Sequence, residues 1–360
     1  MAKLVRRVRE SNTEVEASDV PMETPQVATQ SQKAKEVYRI ATFDGGGMCG
    51  IISLRFMELL DLDVSDFFML SGVSTGGLIC VGLASGLTTA ELREFYYEEG
   101  PKIFHRSFWQ KLSNPYGLTG PLYSNENLQR SIRKALPMEG RTTLPSLYPK
   151  VMVPAYNYKT GQPKFWKSWR PEDSGATVLE VCTATACAPT YFDLYGDYAD
   201  GGLVANNPTL CAIIECMKFG IELDQLEVYS FGTGEPRVKT GDNKHSGRLG
   251  WAPEIAGVFL SAMIRSTHHH VKILAGQAEV RRVVSGTADD APKDPSIHRM
   301  LRMYRRFDVP KLPDKLAQMD DADQEIMRAR EAEADKYFDT KTKTCPWLHA
   351  EHGKQAHRVL

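Results

Sequence analysis

The chain has 360 residues, 42% hydrophobic and 25% charged, an ordinary globular composition that excludes disorder as its main state. Lys and Arg (44) nearly balance Asp and Glu (45), so the net charge is -1 and no global field attracts DNA, RNA or an anionic membrane. No apolar run approaches the roughly 20 residues that cross a bilayer, and the seven cysteines form no CxxC pair, which reads as reduced thiols.

Residues 1–36 begin basic and continue through Ser, Thr, Gln, Pro and Glu with few large apolar side chains, the composition of a flexible tail. They lack the apolar core of a secretory signal, so the expected location is cytoplasmic. Residues 38–43 (YRIATF) read as a strand that ends in Asp44-Gly45-Gly46-Gly47 and passes into a helix reaching Leu60. A second strand, 67–70, ends at Gly72-Val73-Ser74-Thr75-Gly76 and passes into an apolar helix through Ala84. Helices are expected at 88–98, 125–136, 177–187, 207–219, 251–276 and 321–337, with strands at 151–156, 163–168, 191–195, 226–231, 279–285 and 299–306. Strands interleaved with helices imply an α/β fold with a mainly parallel sheet.

Gly72-Val73-Ser74-Thr75-Gly76 is a GxSxG turn between strand and helix, a setting that exposes a serine hydroxyl and aims helix N–H groups at it. The bare pattern occurs by chance in about one chain of this length in ten, so the flanking elements carry the inference. Gly45-x-Gly47-x-x-Gly50 also fits a dinucleotide fingerprint. Two features oppose that reading: Asp44 would repel a pyrophosphate, and the second strand runs into the serine turn instead of ending in a ribose-binding acid. The alternative takes Gly45, Gly46 and Gly47 as bare backbone whose N–H groups hold an oxyanion. None of the nine histidines sits in a motif suited to a base, whereas Asp200-Gly201-Gly202 puts a carboxylate on a glycine-supported loop.

DGGGxxG at 44–50, GxSxG at 72–76 and DGG at 200–202, in that order, resemble the signature blocks of patatin-like phospholipases, with similarity extending over about 38–338. The resemblance implies a three-layer α/β/α patatin-like fold over 37–338, followed by a C-terminal tail at 339–360. It also implies a Ser-Asp dyad that cleaves acyl esters of membrane phospholipids at the inner membrane surface. Ser74 maps to the nucleophile, Asp200 to the base and Gly45, Gly46 and Gly47 to the oxyanion hole, with no cofactor and no metal. Many members carry a basic residue where this chain has Met48 or Cys49. The chain is also similar to bacterial CapV-type effector lipases of anti-phage signalling, which implies a cyclic dinucleotide activator and leaves room for a homo-oligomer. A catalytically idle patatin-fold binding or storage protein is the rival, and the intact set of motifs opposes it.

Phosphates of such an activator need cationic partners, and Arg265, His268, Arg281 and Arg282 are the candidates by position. Consecutive positions on a helix diverge by about 100°, so His268, His269 and His270 do not converge on one metal. The basic cluster at 302–306 reads either as a phosphate contact or as solvated surface. Aromatic residues over 101–123 read either as an interfacial lid led by Phe108 and Trp109 or as packing under a long loop. Cys182, Cys187, Cys211 and Cys216, at helical spacings, read as buried small hydrophobes.

Overall fold

A computed structural model describes residues 36–106, 114, 120–235, 255–276 and 300–344, all within one unit spanning Glu36–Leu360. Seven strands form one sheet: β1 (Tyr38–Phe43), β2 (Met69–Gly72), β3 (Lys150–Asn157), β4 (Gln162–Lys167), β5 (Tyr198–Asp200), β6 (Leu226–Phe231) and β7 (Met303–Phe307). The order is β4-β3-β2-β1-β6-β7. Neighbours from β3 through β7 run parallel, while β4 and the short β5 pair antiparallel with β3.

Helices cover both faces, so the central strands are apolar on both sides. Along β1, Ile40 packs with Met69, Met152 and Val228 against helices α7 (Thr209–Lys218) and α8 (Ile255–Leu274), the short α6 (Gly202–Ala205) lying between β5 and α7 in the chain. The next residue, Ala41, turns to the other face with Leu70, Val151 and Val153, where α1 (Gly50–Leu59), α2 (Thr75–Ala84), α3 (Thr89–Ile103), α4 (Asn125–Ala135), α5 (Val178–Ala186) and α9 (Gln324–Thr344) pack. This period of two over a buried parallel sheet is the α/β/α layering expected from the motifs. Thr88 and Thr177 cap α3 and α5 in reciprocal pairs with Glu91 and Glu180. No helix among the described residues is long and apolar enough to cross a membrane.

Several expectations need correction. Residues 191–195 form no strand; Tyr191 and Phe192 instead pack with Tyr123, and Phe192 also meets Phe104. The strand of this region is β5, whose last residue is Asp200, so the carboxylate stands at a strand end and not on a loop following a turn. Phe104 and Tyr123 are packed side chains and not a lipid-facing lid. Phe108 and Trp109, Arg281 and Arg282, and the strand expected at 279–285 lie outside the described residues. The last charged helix continues to Thr344, and β7 begins at Met303.

Candidate active site

The register of the parallel strands brings the functional segments level. Phe43 pairs with Gly72 on one side and Phe231 on the other, so Asp44, Val73 and Gly232 leave the sheet side by side at its carboxyl edge. The strand order reverses here, because β1 is followed outward by β2 and β3 on one side and by β6 and β7 on the other. Crevices of open α/β sheets form at such reversals.

Ser74 occupies the turn between β2 and α2 with φ 54 and ψ -123, a conformation that costs a non-glycine residue about 1–3 kcal/mol. Its hydroxyl makes no capping bond to α2 and is left for chemistry. The turn is tight because α2 crosses directly over β1. A Cβ on Gly76 would lie 2.3 Å from the Phe43 carbonyl oxygen, and one on Gly72 would lie 2.0 Å from the Gly76 carbonyl oxygen. Both glycines are therefore required by backbone approach, not by flexibility.

Asp200 is 5% exposed. Burial pushes its carboxyl up to about 6, while the hydrogen bond from the Gly202 N–H and the nearby Ser74 side chain pull it back. The Gly202 N–H donates to Oδ1 at 2.6 Å. Ser74 and Asp200, predicted as a pair, are thus brought together. Thr185, near the end of α5, joins their backbones. Its Oγ1 accepts the Ser74 N–H at 3.0 Å, and its carbonyl accepts the Gly201 N–H at 3.1 Å. Sequence reasoning missed Thr185, which sits in a run of small residues (CTATACA) that reads as helix filler.

The glycine turn divides its work. The Gly45 N–H donates to the Asn206 carbonyl at 3.1 Å and is unavailable for an oxyanion, which corrects its expected role. Gly45 instead makes room: a Cβ there would lie 2.2 Å from Asn206 Oδ1 and 3.4 Å from the Ser74 Cβ. Gly46 and Gly47 keep N–H groups that donate to no backbone carbonyl among the described residues, and Gly47 needs its φ of +56. Thr75, at the N-terminus of α2, offers a further amide on the other side of Ser74.

Of the expected phosphate partners, Arg265 and His268 lie within the described residues. His268 is half-buried, its Nδ1 is 2.8 Å from the Tyr304 hydroxyl, and burial pushes its pKa down to about 4, so the ring is neutral. Arg265 is exposed on the same helix and pairs with Glu235 at 3.3 Å. His269 and His270 are exposed, and the described residues contain no group of three or more metal-ligating side chains. The described cysteines are free thiols; Cys182, Cys187 and Cys216 are buried, and Cys211 is partly so.

A serine on a strained strand-to-helix turn, brought up to a buried carboxylate and flanked by bare glycine amides, is a layout suited to acyl transfer. A family model described as patatin-like phospholipase matches residues 41–213, the stretch that contains all of these groups. A cGAMP-activated phospholipase of Pseudomonas aeruginosa is 30% identical over 257 residues, 66% of this chain and 76% of that protein. The chain belongs to the patatin-like phospholipase family. Proteins with the same description from Escherichia coli (30% identical over 221 residues, 54% of this chain) and Vibrio cholerae (31% over 211 residues, 51%) are also similar. The alignments span 61% and 59% of the lengths of these last two relatives.

Proposed function

We infer that the chain is a serine lipid acyl hydrolase that cleaves fatty-acyl esters of membrane phospholipids. The observation that carries this reading is the approach of the Ser74 turn to the buried Asp200, the two held together through Thr185 at 3.0 and 3.1 Å, with the Asp200 carboxyl pushed up to about 6. Asp200 takes the Ser74 proton as Oγ bonds to the ester carbonyl carbon, and the carbonyl electrons move onto oxygen. The amides of Gly46, Gly47 and Thr75 hold that oxyanion. Its collapse breaks the ester C–O bond, and the proton held by Asp200 goes to the departing alcohol. Water then attacks the acyl-serine with Asp200 again as base; collapse breaks the acyl C–Oγ bond, the proton on Asp200 returns to Ser74 Oγ, and the fatty acid leaves. No step needs a metal or an organic cofactor.

Relatives described as cGAMP-activated support a cyclic dinucleotide as activator of this chain, in a defence response against phage at the cytoplasmic membrane face. A ligand activates only by binding the competent state better, and a hundredfold preference corresponds to roughly 2.7 kcal/mol. The test is hydrolysis of phospholipid vesicles with and without cGAMP. Wild type should release fatty acid, and Ser74→Ala should fold normally and release none. Retained activity in Ser74→Ala would overturn the nucleophile, and an unchanged rate with cGAMP would remove the activator.

A further inference from the structure

Both ends of the glycine turn are held by buried arginines from the far end of the chain, outside the region matched by the family model. At the leading end, Asp44 is fully buried and its Oδ2 accepts from Arg306 Nη2 at 2.5 Å. Arg306 also reaches Asp308 at 2.5 Å and Ser230 Oγ at 3.0 Å, so β7 and β6 fix the guanidinium. Asp308 in turn accepts the Gly234 N–H at 2.8 Å. Between Gly232 and Gly234, Thr233 donates its hydroxyl to the Gly45 carbonyl at 2.9 Å. The Asp44–Arg306–Asp308 group therefore sets where Gly45 lies. Within the basic cluster at 302–306, Arg306 is neither solvated surface nor a phosphate contact.

At the trailing end, the Met48 N–H donates to the Met319 carbonyl at 2.7 Å, and that oxygen would lie 2.2 Å from a Cβ on Gly47. Met319 belongs to a loop gathered around the wholly buried Arg330 of α9. Arg330 donates to the carbonyls of Leu316 at 2.9 Å, Gln318 at 2.5 Å and Asp321 at 2.7 Å. A lysine cannot reproduce this planar fork of donors. Tyr123 fixes the same loop from outside through Asp320 at 2.6 Å.

We propose that Arg306 and Arg330 are positioning residues that clamp the glycine turn from its two ends and so set the geometry of the Gly46 and Gly47 amides. This rests on the hydrolase reading above. Neither arginine meets substrate. Their effect lies in holding the amides in place before the oxyanion forms, where a small displacement weakens the transition state more than the bound substrate.

The experiment compares Arg306→Lys, Asp44→Asn and Arg330→Lys with wild type on a soluble ester, together with affinity for a trifluoromethyl ketone that forms an oxyanion on Ser74. Lys167→Met, which breaks the buried pair with Glu215, serves as a control for lost stability alone. The clamp variants should lose about 10- to 100-fold in kcat with KM nearly unchanged, and ketone affinity should fall in parallel, the pattern of a damaged oxyanion site. The control should lose melting temperature but not kcat per folded molecule. Clamp variants that melt lower yet keep kcat and ketone affinity would show a merely structural role and overturn the proposal. Wild type that neither binds the ketone nor reacts at Ser74 would overturn the hydrolase reading instead.

Discussion

The Thr185 hydroxyl accepts a hydrogen bond from the backbone N–H of Ser74 at 3.0 Å and donates its own to the Pro154 carbonyl at 2.7 Å. Because Ser74 holds an unfavourable backbone conformation, its amide must be satisfied by something outside the turn. Thr185→Val keeps the shape and leaves that N–H unpaired, at a cost of about 1–3 kcal/mol. Turnover should fall about tenfold or more as the turn relaxes, and Thr185→Ser should restore it. Wild-type kinetics and melting in Thr185→Val would show that the bond does not hold the turn.

The strain at Ser74 is measurable by itself. Ser74→Gly and Ser74→Ala both lack the proposed nucleophile, but only glycine is at ease with φ 54 and ψ -123. Relief of the strain outweighs the greater freedom of an unfolded glycine, so Ser74→Gly should be more stable than Ser74→Ala by about 1 kcal/mol. Denaturant unfolding of the two inactive variants gives the difference, and equal or reversed stabilities would mean the turn is unstrained.

In the proposed role of proton acceptor, Asp200 works only when ionised. With its carboxyl pushed up to about 6, kcat/KM on a soluble ester should rise with pH through that value and level off above it. Asp44 is pushed up to about 7 by burial, against the pull of Arg306. An acid limb steeper than one proton would report Asp44 as well, and Asp44→Asn should then return it to one. A rate that is flat across this range would exclude Asp200 as the base.

The same shift has a stability sign. A carboxyl held near 6 in the fold, against 3.8 as its ordinary value, binds its proton more tightly when folded. Its contribution to stability is therefore lost as pH rises from about 4 to 6, by roughly 3 kcal/mol in all. Asp200→Asn should lose about a hundredfold in activity yet melt at or above wild type at pH values above 6, because the amide carries no charge to desolvate. A lower melting temperature there would show that Asp200 supports the fold in its charged form.

The activator site has its own check. Arg265 is the one described arginine among the expected phosphate partners, and it is exposed and pairs with Glu235 in a contact of small net value. Arg265→Ala should leave melting unchanged and raise the cGAMP concentration needed for half activation about tenfold. Undiminished activation would place the nucleotide elsewhere.

The sequence exposed the site through segments whose local chemistry is unambiguous. Strands 38–43 and 226–231 are apolar runs closed by glycine, and the structure places both at the boundaries read from sequence. The three glycine motifs carry Ser74 and Asp200 because tight turns at strand ends leave few alternatives to glycine. The run YFDLY at 191–195 misled because aromatic residues favour a strand or a packed loop equally well. Its outcome was decided by Phe104 and Tyr123, far away in sequence. Arg306 and Arg330 were illegible for a related reason. Charged residues are solvated by default, and only the folded chain shows Asp44 or the 316–321 carbonyls close enough to bury them.

The proposed clamp would also make activity a late product of translation. A nascent chain synthesised through β6 already contains Ser74, Asp200 and the glycine turn, yet it has neither Arg306 nor the loop around Arg330 that receives Met48. Ribosome-stalled chains ending before β7 should therefore fail to react with a fluorophosphonate, whereas chains released beyond α9 should react. On the proposed hydrolase reading, a chain assembled in this order would stay inactive on the ribosome, and truncated products of its synthesis would have no lipase activity.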